Sequence, residues 1–324
     1  MSSRSAARDL LGFATIESTG RELAGLADAC VGAALHALRP TVPFAVIGMG
    51  RLGGNELSYA SDIDVLFVYD GDSAADFAAA EQTAEALMKE IGGITPEGQT
   101  FRIDANLRPE GRQGQLTRSL SGYESYYDRW ALTWEFQALI KARPLAGDAE
   151  LGRRFRELVE PYVYRDPFPE EEVREVRRMK ARIERERIPP DEDPQFHLKL
   201  GRGSLSDVEF TVQLLQLLHG ARHSGVRDPA TIPAIERVRE AGLLADADAD
   251  ALEEAYRYCE RARNALYLLT AKPGDALPTD VPTATRLARL LGYDDRPQAS
   301  LRDDYRRVTR RSRRVVERVL YGRE

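Results

Sequence analysis

The spacing of apolar and polar positions changes several times along the chain, and each change predicts an element. From about Ser5 to Leu38 apolar residues recur at helical spacing (Leu10, Leu11, Phe13, then Leu23, Leu26, Cys30, Ala34 and Leu38), and Pro40 ends the run, so one leading helix is expected. Residues 44–47 (FAVI) form a short apolar run closed by glycines, the pattern of a buried strand. Over 62–69 (DIDVLFVY) the period falls to two: Ile63, Val65, Phe67 and Tyr69 share one face, and Asp62 and Asp64 open the other. Residues 76–91 return to helical spacing. Residues 100–107 (TFRIDANL) alternate again, setting Phe101, Ile103, Ala105 and Leu107 against Arg102, Asp104, Asn106 and Arg108. From Ser119 the period is 3.6, with Tyr123, Tyr127, Trp130 and Trp134 about one turn apart. Helices are expected over 148–160, 170–187, 206–219, 230–242, 246–270, 283–291 and 299–321. Proline-rich joints fall at 164–169 and 189–194. The pattern predicts an α/β unit with a small mixed sheet and an N-terminal helix over 1–165, then an all-α helical unit over 166–324.

Composition narrows the possibilities. A chain of 324 residues suits two domains, and 46 Lys plus Arg against 52 Asp plus Glu gives a net charge of −6, which argues against broad nonspecific nucleic-acid binding. No apolar run approaches the roughly 18 residues of a membrane span, and residues 1–10 (MSSRSAARDL) lack the apolar stretch of a signal peptide, so a cytoplasmic protein without a membrane partner is expected. Cys30 and Cys259 are too few for a disulfide framework or a cysteine-rich zinc site.

The chemistry concentrates between Gly48 and Asp104. Gly48-Met-Gly50-Arg-Leu-Gly53 spells the dinucleotide-binding fingerprint, but only eight residues (54–61) separate it from the next strand, too few for the crossover helix of a Rossmann unit. The pair Asp62-x-Asp64 explains the segment better. Side chains at i and i+2 of a strand project from one face, and two buried acids side by side call for a neutralising cation. Asp104, on the polar face of its own strand, supplies a third carboxylate. Three such groups suit two metal ions about 3.5–4 Å apart, the arrangement that clamps the attacking and leaving oxygens in phosphoryl or nucleotidyl transfer. Glycines at 50, 53 and 54 would then let backbone N–H groups approach a triphosphate.

With these pieces in place, residues 48–70 (GMGRLGGNELSYASDIDVLFVYD) closely resemble the nucleotidyltransferase signature of the glutamine synthetase adenylyltransferase family. The likeness continues through 103–116 (IDANLRPEGRQGQL), 133–148 (TWEFQALIKARPLAGD) and 197–217 (HLKLGRGSLSDVEFTVQLLQL). The resemblance implies a polymerase-β-like nucleotidyltransferase domain followed by a helical domain, and one of two homologous halves of a longer enzyme. One half transfers AMP from ATP to a tyrosine of glutamine synthetase; the other removes it by phosphorolysis, releasing ADP. Removing halves commonly carry a Glu-His-Arg-Leu-Gln-like signature that residues 258–267 (YCERARNALY) lack, which favours the transferase half. By resemblance Asp62, Asp64 and Asp104 hold two Mg²⁺ ions, with Mn²⁺ as the alternative, and Asp104 doubles as proton acceptor. Gly50, Arg51, Gly53, Gly54, Ser61, Arg108 and Lys199 contact the nucleotide, Arg51 standing where the family often has lysine. Glutamine synthetase is the implied protein substrate, with glutamine and a PII-type signalling protein as regulators. A regulatory module with this fold and no chemistry is the rival reading, and the intact acid trio speaks against it.

Other features weigh less. Ser206-x-x-Glu209 reads as a capping box, which explains Glu209; the structural reading is favoured for the pair, with Asp207 the one acid left open to a role in the cleft. His219 and His223 have zinc-like spacing but no third ligand. The aromatic series from Tyr123 to Trp134 reads as packing between the two units. The arginines of 306–318 read as a solvated face paired with acidic helices such as the one opening at Glu170–Glu172.

Overall fold

The computed structural model describes residues 3–96, 98–190 and 192–323. The chain opens with two helices, α1 (Ser3–Leu10) and α2 (Ile16–Leu38), where one was expected. Gly12 takes a positive φ between them, and Thr15 restarts the helix through a reciprocal capping box with Ser18. Then come β1 (Phe44–Met49), a single turn α3 (Gly50–Gly53), β2 (Ile63–Tyr69), α4 (Ala74–Gly92), a small hairpin β3 (Ile94–Thr95) and β4 (Gly98–Gln99), β5 (Ile103–Asp104) and β6 (Thr117–Ser119). Helices α5 (Leu120–Arg129) and α6 (Thr133–Leu139) follow, then β7 (Arg143–Gly147), α7 (Ala149–Val163) and α8 (Glu170–Glu186). The remainder is helical: α9 (Leu205–His219), α10 (Thr231–Glu240), α11 (Asp246–Thr270), α12 (Val281–Leu290) and α13 (Pro297–Val319).

The sheet is small and mixed, in the order β5–β2–β1–β7, with β6 also paired to β2. β1 runs antiparallel to β2 and to β7, whereas β5 and β6 run parallel to β2. Antiparallel pairing of the strands flanking the glycine turn rules out a βαβ crossover, so the dinucleotide fingerprint is a coincidence of letters. The period-two reading of β2 holds. Ile63, Val65 and Phe67 pack with α2 and α4 in one core, while Leu66 and Val68 pack with Tyr123 and Phe155 in another. That second core continues without a break into the helical half, through Val176, Leu214, Tyr256 and Tyr305.

Three expectations need correction. The strand expected over 100–107 shrinks to Ile103–Asp104, because Asp104 accepts hydrogen bonds from the Asn106 amide and side chain (2.6 and 2.9 Å) and turns the chain away. β7 lies in a stretch expected to be helical; it is an edge strand, where Pro144 is tolerated because no neighbour needs its missing N–H. Of the aromatic series, Tyr123 and Tyr127 are buried, but Trp130, at the end of α5, is 73% exposed.

Candidate active site

The site begins with a backbone constraint. Gly50 has φ +51°, and a Cβ there would sit 2.5 Å from Asp64 Oδ2. Glycine is therefore what lets β1 turn into α3 against the acid of the neighbouring strand. Antiparallel register sets Met49 opposite Asp64, and parallel register on the other side sets Asp104 beside it. The Asp64 carboxylate has no hydrogen-bond or ion-pair partner among the described residues. Burial, then the charges of Asp104 and Asp62, push its pKa up to about 7, and Lys199 only partly opposes this. Asp62 is held by the Nε of Arg102, and Asp104 by Asn106.

Asp62 and Asp64 open onto a cleft of about 390 Å³ between the sheet and the helical half, and Asp104 is not among its lining residues. Gly50, Arg51, Ser61, Asp62 and Asp64 line one side; Lys199, Glu209, Gln213 and Arg263 line the other. Lys199 makes no ion pair among the described residues. Its turn is fixed from below by His197, which is buried. The His197 Nδ1 accepts from the amides of Lys199 and Leu200 (3.2 and 2.9 Å), and its carbonyl accepts from the Tyr305 hydroxyl (3.1 Å). Burial lowers the His197 pKa, which keeps Nδ1 free to accept. His197 had no role in the sequence reading, although it opens one of the segments on which the resemblance rests.

The other expected nucleotide contacts are placed differently. Ser61 lines the cleft, its hydroxyl 2.8 Å from that of Ser58. Arg51 lines it too, but its guanidinium pairs with Glu260 (2.7 Å) and donates to the Glu56 carbonyl (2.9 Å). Burial works against its charge, and Glu260 together with Tyr256, Glu209 and Glu56 more than compensates, so its pKa is raised. All three nitrogens of Arg108 donate to backbone carbonyls, those of Gly114, Ala105 and Arg112, so this side chain clamps its own loop. Gly53 and Gly54 are packing positions: a Cβ at Gly53 would lie 1.7 Å from the Lys141 carbonyl oxygen, and one at Gly54 2.9 Å from that of Pro229.

The second acid pair reverses its expected roles. α9 starts at Leu205 after Ser204, one residue earlier than expected, and Ser206 caps nothing. Asp207 is fully buried, accepts from the Gly203 amide (2.6 Å), and pairs with Lys180 and Arg313. Glu209 is the acid that faces the cleft, 3.9 Å from Lys141.

In donor type, Asp62 and Asp64 at the cleft and Asp104 in register behind Asp64 suit a hard divalent cation, which takes carboxylate and phosphate oxygens. Asp64 is the one of the three with no hydrogen-bond or ion-pair partner among the described residues. As placed, no group of three or more His, Cys, Asp or Glu among the described residues is gathered closely enough to hold an ion. Asp62 and Asp104 are each engaged elsewhere.

Residues 1–158 match the glutamate-ammonia ligase adenylyltransferase family, and residues 174–320 match the GlnD PII-uridylyltransferase family. Over 318 residues the chain is 46% identical to the bifunctional glutamine synthetase adenylyltransferase/adenylyl-removing enzyme of Streptomyces avermitilis, covering 97% of this chain and 32% of that protein. Proteins of the same name from Leifsonia xyli and Mycobacterium marinum are 43% and 42% identical, with 97% and 96% of this chain and 32% and 33% of theirs covered. The chain thus spans about a third of the length of the curated relatives it matches. No helix among the described residues is long and apolar enough to cross a membrane.

Proposed function

The chain belongs to the glutamine synthetase adenylyltransferase/adenylyl-removing family, and from that premise we propose that it transfers AMP from ATP to a tyrosine hydroxyl of glutamine synthetase in the cytoplasm, releasing pyrophosphate. The observation that carries this reading is Asp64: an uncompensated carboxylate in register with Asp104, facing Lys199 across a cleft. The polymerase-β-type domain is read as residues 1–165 and the helical domain as 166–324, with the cleft between them. Gly50 keeps the wall at Asp64 thin enough for a phosphate to approach. Lys199, Arg263 and Arg102 present cationic groups where the triphosphate and then the pyrophosphate would lie, offsetting charge that grows on the leaving oxygens. A tyrosine hydroxyl, with an ordinary pKa near 10, needs a proton acceptor at neutral pH, and Asp104 is the assigned one. Asp62, Asp64 and Asp104 would hold Mg²⁺ (or Mn²⁺), which when bound supplies Lewis-acid activation of phosphate and hydroxyl oxygens. That role requires Asp62 to leave Arg102 and Asp104 to leave Asn106.

The transferase half is preferred to the removing half because residues 258–267 lack the removing signature. Glutamine and a PII-type protein are the assigned regulators, the latter supported by the likeness of residues 174–320 to PII-uridylyltransferases. The test is incubation with ATP labelled at the α-phosphate, Mg²⁺ and unmodified glutamine synthetase, with Asp64→Asn in parallel. Label on the synthetase that the variant fails to transfer is expected. Phosphate-dependent ADP release from adenylylated synthetase would instead assign the removing half. Silence in both directions would favour the non-catalytic module.

A further inference from the structure

On the face away from the cleft a groove of about 780 Å³ runs between the end of α8, the 200–202 turn and α13. Its wall carries Arg185, Arg202, Arg306, Arg310, Arg313 and Arg323, and Glu184 is the one lining acid among the described residues. Glu184 is already neutralised by Lys180 and Arg313, each at 2.9 Å. Among the described residues Arg310 has no ion pair, Arg202 only a 3.9 Å approach to Glu184, and Arg306 a 3.5 Å contact with Asp303. Ala181, Ile188 and Leu200 add apolar surface to the lining. Arg185, Arg313 and Arg323 are paired with Glu186, Glu184 and Glu317, so Arg202, Arg306 and Arg310 are the guanidinium groups with weak or no acid partners among the described residues, and beside an apolar lining they suit a multiply charged anion with an organic body.

We propose that this groove binds a small organic phosphate, at a site separate from the catalytic cleft. Its volume lies within the range of small-molecule pockets, about 300–1,000 Å³, and far exceeds what inorganic phosphate fills. Its lining mixes arginines with Ala181, Ile188, Leu200 and Tyr321, which suits a compact anion with an apolar body, whereas a nucleic acid or an acidic protein segment would be served by an extended basic stripe. The site lies close to the catalytic one in the chain: Leu200 and Arg202 line the groove, and Lys199, between His197 and Leu200, lines the cleft.

The probe is fructose 1,6-bisphosphate, titrated calorimetrically into the full chain in EDTA at about 0.1 M salt, where charge screening still permits a multivalent contact. Saturable one-site binding is expected. The double variant Arg202→Glu/Arg310→Glu should bind at least about tenfold more weakly, as expected when charge-assisted hydrogen bonds are removed. Both side chains are exposed, so the variant should fold, and an unchanged melting temperature checks this. Lys199→Ala should bind the probe as the parent does. Equal binding by parent and double variant, loss of binding in Lys199→Ala, or saturable binding of poly-L-glutamate in place of the bisphosphate would each overturn the proposal.

Discussion

Two acid clusters sit on either side of the 198–203 turn and treat the same chemical group in opposite ways. In the helical half, Asp207 and Glu184 meet Lys180 and Arg313 in a closed network, fully buried at Asp207 and Lys180. Burial would raise the Glu184 pKa, but Lys180 and Arg313 overcome it and pull the group down to about 2. At the sheet, Asp64 is left without a cation and rises to about 7. Charges that the fold balances serve the fold. A carboxylate that the fold leaves unbalanced costs stability, and such a cost persists where a ligand or cation makes use of the charge.

The widest gap between the clusters should appear in stability. Asp207→Ala leaves the fully buried Lys180 with Glu184 alone, takes one acid from Arg313 and leaves the Gly203 amide without its acceptor, so urea unfolding should show a loss of about 3–5 kcal/mol. Asp64→Asn should do the reverse. Because the folded pKa lies above the unfolded one, near 3.8, the native state keeps its proton while the unfolded state loses it as pH rises. The penalty is absent below about pH 4, grows through the interval, and is complete above about pH 7. In EDTA at pH 8 the variant should therefore be more stable by about 2 kcal/mol, a figure reduced from the full shift to allow for solvent screening of a partly exposed group. At pH 4 the two proteins should unfold alike. A variant that is less stable at pH 8 would show that Asp64 is structurally compensated after all.

Glu184→Gln sharpens the comparison from the other side. A folded pKa of about 2 against an ordinary 4.5 means the parent holds this contribution fully above pH 4.5 and loses it as pH falls toward 2. The variant should be weaker by about 1–2 kcal/mol at pH 7, the network keeping Asp207, and the deficit should close by about pH 2–3. Chemical denaturation across that range measures it.

How much of this was legible in the sequence depends on how local each cause is. β1, β2 and the glycine turn follow from a period of two and a short spacing, and seven helices from α7 to α13 follow from a period of 3.6, so they were read nearly to their ends. β7 escaped because Arg143-Pro-Leu-Ala-Gly147 neither alternates nor is rich in β-branched residues; it is a strand only because β1 offers it an edge. The carboxylates at 62, 64 and 104 were legible because i, i+2 geometry and a flanking glycine turn announce them. The roles of Asp207 and Glu209 were not, because they depend on where α9 starts. That start follows Gly203, at φ +77°, whose Cβ would lie 2.0 Å from the carbonyl oxygen of Thr309 on a distant helix. Among the described residues Arg307, Arg311 and Arg318 of α13 pair with Glu254 and Asp248 of α11, and no α13 arginine pairs with Glu170–Glu172, which bind Arg165, Arg174 and Arg178. Both sets of acids looked equally available along the chain; only tertiary packing chooses between them.

The smallest effect belongs to a charge on the same helix as Lys180. Arg178 pairs with Glu171 at 2.6 Å, a shorter contact than Lys180 makes with Glu184, yet the side chains of Arg178 and Glu171 are both more than half exposed. In high dielectric the Coulomb gain shrinks, and ordering two long side chains consumes most of what is left, so Arg178→Ala should change stability by less than about 0.5 kcal/mol. Raising the salt should erase even that difference, since screening reaches exposed pairs first. Lys180→Ala on the same α8 would uncover two acids, one of them fully buried, and its effect should survive the same salt. If the two substitutions proved equal in cost, distance rather than burial would govern these ion pairs, and the contrast between Asp207 and Asp64 would lose its physical basis.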